Sequence, residues 1–131
     1  MSVHIPVPAQ VNRLTRQIVN CAFKVHSELG PGLLESVYEV CLAHELSKAG
    51  IDFVKQQPVP VIYDGITLDA GLRPDFIIES LVVLELKAVD VMHPVYDAQL
   101  LTYLKLLDLR VGLLINFNVP VIRDGIRRMV R

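Results

Sequence analysis

The segment RPDFIIESLVVLELKAVD, Arg73 to Asp90, constrains the fold of this chain more than any other. Its two apolar runs, Phe76-Ile77-Ile78 and Leu81-Val82-Val83-Leu84, are too continuous for a sheet with one face in water. They predict central strands with helices covering both sides. The second run continues into Glu85 and Lys87, two positions apart and therefore on one face. A carboxylate and an ammonium in such a strand are costly to bury unless paired with each other or bound to something else. An internal salt bridge answers that cost, and so does a ligand site.

Asp75 bears on the choice through register. Opposed residues of an antiparallel pair share a face, so Asp75 joins Glu85 only if Phe76 lies opposite Leu84 and Ile78 opposite Val82. That register leaves a loop of Glu79, Ser80 and Leu81, whereas a two-residue turn would send Asp75 to the other face. A bulge or an odd loop is therefore required. Two neighbouring carboxylates repel unless one is protonated or a cation lies between them. With Lys87 beside them, the group suits a divalent metal and a water to be activated.

The rest of the chain supplies the covering layers. Val11, Leu14, Ile18, Cys21, Val25 and Leu29 follow one helix face, which Gly30-Pro31-Gly32 ends. A second helix is expected from near Leu33 to Gly50, burying Leu34, Val37, Tyr38, Cys41, Leu42 and Leu46. Val59, Val61 and Tyr63 then alternate as a strand before an Asp64-Gly65 turn, and Pro58 and Pro60 place that strand at an edge. Tyr96 to Asp108 is helical after His93-Pro94, Val111 to Phe117 is a buried strand, and Ile126 to Val130 a short last one. The expected fold is α/β, a mixed central sheet flanked by helices, in one domain over residues 1–131.

Composition narrows the function classes. Hydrophobic residues form 52% of the chain, a surplus that suits a homo-oligomer interface. No run approaches the roughly 18 to 20 apolar residues of a membrane span, and MSVHIPVPAQVNR lacks the order of a signal peptide, so a cytoplasmic protein is expected. Cys21 and Cys41 have no zinc-ligand spacing and read as buried reduced thiols. The remaining histidines, His4, His26 and His44, show no metal spacing either. A net charge of -1 is not that of a general nucleic-acid binder, so a nucleic acid would need a local patch. Arg123, Arg127, Arg128 and Arg131 are either that patch or a solvated tail.

Pro74-Asp75, followed after nine residues by Glu85-Leu86-Lys87, resembles the PD-(D/E)XK motif of the restriction-endonuclease-like nucleases. Gly32-Leu33-Leu34-Glu35-Ser36-Val37-Tyr38 is similar to the motif that names the GxxExxY branch, and Ala98 to Phe117 resembles the second half of that family. The resemblance implies a restriction-endonuclease-like core that hydrolyses phosphodiester bonds in DNA or RNA with Mg²⁺ or Mn²⁺. By the same resemblance Asp75, Glu85 and the Leu86 carbonyl would bind the metal, Lys87 would hold the attacking water, and Glu35 would reach the metal directly or through water. Gln99 and Tyr103, four apart on one helix face, would touch substrate. Each has a structural alternative: Glu35 suits a helix start, Gln99 the surface, and Tyr103 the core. Tyr38 either orients Glu35 or packs in the core. His93 reads as a helix-start residue near the same edge. The rival to a nuclease is a nucleic-acid- or protein-binding module that keeps the fold without cleaving, and a third reading is an oligomeric scaffold.

Overall fold

The computed structural model describes residues 5–131, so His4 lies outside the described residues. Helix α1 spans Ala9–Leu29 and buries Val11, Leu14, Ile18, Cys21 and Val25 of the expected face, whereas Leu29 at its end is exposed. Helix α2 spans Glu35–Lys48 and buries Tyr38, Leu42 and Leu46, a strict four-residue spacing. The wider face expected for α2 is not realised. Leu34 precedes the first turn in extended conformation and is 73% exposed, Val37 is exposed, and Cys41 is only half-buried. A single four-residue row faces the core, and residues rotated away from it reach the surface.

Seven strands follow the helices: β1 Phe53–Lys55, β2 Val61–Tyr63, β3 Ile66–Leu68, β4 Phe76–Ile78, β5 Val82–Lys87, β6 Val111–Asn116 and β7 Ile126–Val130, with α3, Pro94–Leu107, between β5 and β6. The central sheet runs β1-β4-β5-β6-β7. Only β5 and β6 are parallel, and α3 is the crossover that such a pair needs. The strand that carries Val61 does not edge this sheet. It pairs with β3 as a separate hairpin, whose Asp64-Gly65 turn has the two positive φ values of the expected type. The edge beside β4 is instead β1, three residues long and too short to show a period.

The register between β4 and β5 is the one the site requires, Phe76 opposite Leu84 and Ile78 opposite Val82. Glu79 and Ser80 both take positive φ, 52° and 55°, and the Leu81 N–H donates to the Ile78 carbonyl at 2.9 Å. Leu81 is thus the additional residue that keeps Asp75 in phase with Glu85.

The sheet is packed on both faces. Phe76, Ile78, Val82, Leu84 and Leu86 join Leu113 and Ile115 against α1 and α2. Val83 and Leu114 pack with Leu100, Tyr103 and Leu104 of α3. Gly112 lets α3 approach, because a Cβ there would lie 2.7 Å from Leu100 Cδ1. By alternation Glu85 and Lys87 lie on the α3 side with Val83. The C-terminal arginines act as fasteners: Arg127 pairs with Asp97, Arg131 with Asp108, and Arg128 donates to Asn12 Oδ1. No helix among the described residues is long and apolar enough to cross a membrane.

Candidate active site

The site forms where β4 begins and β5 ends. The Asp75 N–H donates to Glu85 Oε1 at 2.8 Å, and the Leu86 N–H donates to Asp75 Oδ2 at 2.8 Å. Each strand's backbone thereby holds the other strand's carboxylate, and Asp75 and Glu85 stand side by side. Glu85 is 6% exposed, flanked in its strand by the fully buried Leu84 and Leu86.

Lys87 continues the same face. Its Nζ lies 4.5 Å from the centroid of Tyr96, on the first turn of α3. Among the described residues no ion pair joins it to Asp75 or Glu85. The internal salt bridge, the structural alternative for Glu85 and Lys87, is therefore not formed. The ammonium rests on an aromatic face, an attraction of about 0.5 to 2 kcal/mol.

Electrostatics follow from this crowding. Burial, then the charge of Asp75, pushes the Glu85 carboxyl up to about 8, with the Asp75 N–H and Lys87 opposing. Burial is also the main cause raising Asp75, against which the Leu86 N–H and the Gln56 amide pull down. Glu35, in the first turn of α2, is raised by burial and then by Asp75, so its field reaches the pair. Burial is the first cause in all three carboxyls, and the charge of Lys87 opposes the rise in each. Among the described residues, however, no three His, Cys, Asp or Glu side chains gather as a metal cluster. Asp75 and Glu85 are the close pair, and Glu35 stands as an outer acid. Hard oxygen donors whose charged forms are disfavoured by burial and by each other fit a hard divalent cation. The Leu86 carbonyl lies between Glu85 and Lys87 on the same strand end.

Gln99 and Tyr103 divide as their positions dictate. Gln99 is exposed, whereas Tyr103 is buried. The Tyr103 hydroxyl is raised by burial and then by the charge of Glu85, while the Arg73 backbone N–H and the Gln99 side chain oppose the shift. Tyr103 therefore feels the site while packing in the α3 core. His93 caps the start of α3 without a side-chain capping bond and meets Tyr96 edge-on at 5.8 Å. Tyr38 belongs to the core: its ring stacks on Phe117 at 4.6 Å, and its hydroxyl donates to the Gly30 carbonyl at 2.6 Å and accepts the Leu33 N–H at 3.2 Å. It pins the loop that leads into α2 and makes no bond to Glu35.

Several residues here escape sequence reading. Asn116, opposite Lys87 in the β5–β6 register, is buried and bonds both the N–H and the carbonyl of Val89, which fixes the chain leaving Lys87. Its one legible signal is a polar residue closing an apolar strand run. Tyr96 gives no signal beyond lying three and seven positions before Gln99 and Tyr103. Gln56 and Glu39 come together only through the fold, since Gln56 Nε2 donates to both Asp75 Oδ1 and Glu39 Oε1.

No curated protein and no solved structure matches the chain at a significant level. The family model of the PD-(D/E)XK nuclease superfamily matches residues 12–129, from the first turn of α1 into β7, and so takes in Asp75, Glu85 and Lys87 with the strands and helices that position them. The chain belongs to the PD-(D/E)XK nuclease superfamily.

Proposed function

We propose that residues 1–131 are a single nuclease domain of the GxxExxY branch that hydrolyses phosphodiester bonds in DNA or RNA with Mg²⁺ or Mn²⁺. The observation that carries this reading is the reciprocal pairing of Asp75 and Glu85 beside the Lys87 ammonium, which among the described residues makes no ion pair with either of them. Asp75 and Glu85 would hold the cation with the Leu86 carbonyl, and Glu35 would complete the set directly or through water. Bound there, the cation would supply charge neutralisation and Lewis-acid polarisation of a phosphate oxygen.

The chain's own groups do the rest. Lys87, resting on the Tyr96 ring, would offset negative charge that grows on the phosphoryl group in the transition state. Its three N–H donors also suit it to orient an attacking water. Burial disfavours the charged forms of Glu85, Asp75 and Glu35, which a bound cation would offset. Gln99, exposed on α3 one turn before Tyr103, would meet substrate. The sequence is complete at Asp75, Glu85 and Lys87, which favours cleavage over a binding module that has lost its chemistry.

The experiment is incubation of purified protein with labelled single- and double-stranded DNA and RNA in Mg²⁺, Mn²⁺ or EDTA, with Lys87→Ala, Asp75→Ala and Glu85→Ala alongside. Cleavage should require the cation and fall about 100-fold or more in each variant, the scale of losing one transition-state donor. Equal activity in wild type and variants, or activity that survives EDTA, would remove the assignment. Binding without cleavage would leave the non-catalytic module.

A further inference from the structure

Gln56 is tethered in a way that an exposed glutamine has no structural need for. It follows β1 with φ 54°, the left-handed region that glycine and asparagine adopt more readily. Its backbone N–H is shared between the carbonyls of Pro74 at 3.1 Å and Asp75 at 3.3 Å, which carries the β1–β4 pairing on to the site. The side chain then folds over the same residue. Nε2 donates to Asp75 Oδ1 at 3.0 Å and to Glu39 Oε1 at 3.3 Å.

Asp75 Oδ2 is already held by the Leu86 N–H, so each oxygen of this carboxylate has its own donor and its plane is fixed. Glu39 lies one helical turn after Glu35 on α2, and Lys55 Nζ at 3.6 Å offsets its charge. Only an amide group offers two N–H donors without a charge that would compete with a cation for the same carboxylate. Asparagine suits the backbone better but falls one methylene short of spanning two acids.

We propose that Gln56 is a positioning residue of this site, whose side-chain amide aims the Asp75 carboxylate at a divalent cation and ties it to Glu39 on α2. The inference rests on the cation-dependent reading above. Loss of such an outer partner weakens metal binding by about 10- to 100-fold.

The test is calorimetric titration of Mn²⁺ into metal-free wild type, Asp75→Ala, Gln56→Asn and Gln56→Gly, with melting temperatures in EDTA. Asn and Gly both suit the positive φ, so the variants keep the fold while losing the bridge. Both should bind Mn²⁺ about tenfold more weakly and melt in EDTA no lower than wild type. Unchanged Mn²⁺ affinity in both, with binding lost in Asp75→Ala, overturns the positioning role and leaves the cation reading standing. A wild type that binds no Mn²⁺, or binds it equally with and without the Asp75 carboxylate, overturns both. Weaker binding joined to a large fall in the EDTA melting temperature of both variants shows a structural role and also overturns the proposal.

Discussion

Strand β5 shows its two faces to two different worlds. Toward α1 and α2 it presents Val82, Leu84 and Leu86, each fully buried among apolar neighbours. Toward α3 it presents Val83 and then Glu85 and Lys87, where packing gives way to an acid pair and an ammonium on an aromatic ring. The same backbone serves both, and the difference shows where stability is gathered and where it is given up. The apolar face gains from every buried methylene, at about 25 cal/mol per Å². On the polar face, carboxylates are held close by N–H donors although burial and mutual repulsion disfavour their charge.

The largest expected effect lies on the apolar face. Phe76 is fully buried on the apolar face, edge-on to Phe53 at 5.4 Å. Phe76→Ala should lower unfolding free energy by about 3 to 5 kcal/mol, since it removes a large side chain from a packed core. Urea unfolding measures it. A loss under about 1 kcal/mol would mean that this face collapses around the cavity and that the contrast between faces is weaker than drawn.

On the polar face the sign should reverse and depend on pH. The Glu85 carboxyl is raised from the usual 4.5 to about 8 in the fold. At pH below 4.5 folded and unfolded chains both hold this proton, so the group costs nothing. As pH rises to about 8 the unfolded chain ionises first, and stability is progressively lost, by an amount on the order of a few kcal/mol. Glu85→Gln keeps an oxygen to accept the Asp75 N–H but removes the charge. In EDTA it should therefore melt higher than wild type at pH 8 and lose part of the slope between pH 5 and 8. Parallel melting curves across that range would show that Glu85 is not strained by its setting.

A cation should relieve the same strain. If the site binds Mg²⁺ or Mn²⁺, a hundredfold excess over Kd would stabilise the folded protein by about 2.7 kcal/mol. Calorimetric scans with EDTA and with Mg²⁺ should differ by several degrees in wild type, and this gap should shrink in Asp75→Asn. At pH 8 and above, where Glu85 ionises, Asp75→Asn is expected to melt higher than wild type without metal, because one of two neighbouring negative charges is gone. The Gln56 amide and the Leu86 N–H, which both donate to Asp75, limit that gain. An internal charge triad predicts no metal response and a less stable Asp75→Asn.

The comparison of faces also explains what could be read from sequence. Continuous apolar runs show that a strand is covered on both sides, and charges that interrupt them show where the cover opens, so Asp75, Glu85 and Lys87 stand out. A three-residue loop of Glu79, Ser80 and Leu81 is the condition that sets Asp75 opposite Glu85, and the β4–β5 pairing meets it. What escaped was short or non-local. Three residues of β1 carry no period, and Gln56, Glu39 and Tyr96 become neighbours of the site only after folding. The exposed Leu34 and Val37 were misplaced because apolar identity does not tell a core row from a surface one on a short helix.

The smallest expected effect separates the two readings of Tyr38. Its hydroxyl bonds the Gly30 carbonyl and the Leu33 N–H, both in the loop before α2, and its ring lies flat on Phe117 at 12°. Tyr38→Phe keeps the ring and removes the two bonds. Gly30 is only half-buried and Leu33 is exposed, so water can take over part of the lost bonding. The expected cost is therefore about 1 kcal/mol, the net worth of a typical hydrogen bond rather than of an orphaned one. That corresponds to a fall of about 2 to 8 °C in melting temperature for a chain of this size. The gain in melting temperature from Mg²⁺ should stay as in wild type, because no bond from Tyr38 reaches Glu35. A variant as stable as wild type that has lost its Mg²⁺ response would reverse this assignment, making Tyr38 a residue that orients Glu35 rather than one that pins the loop.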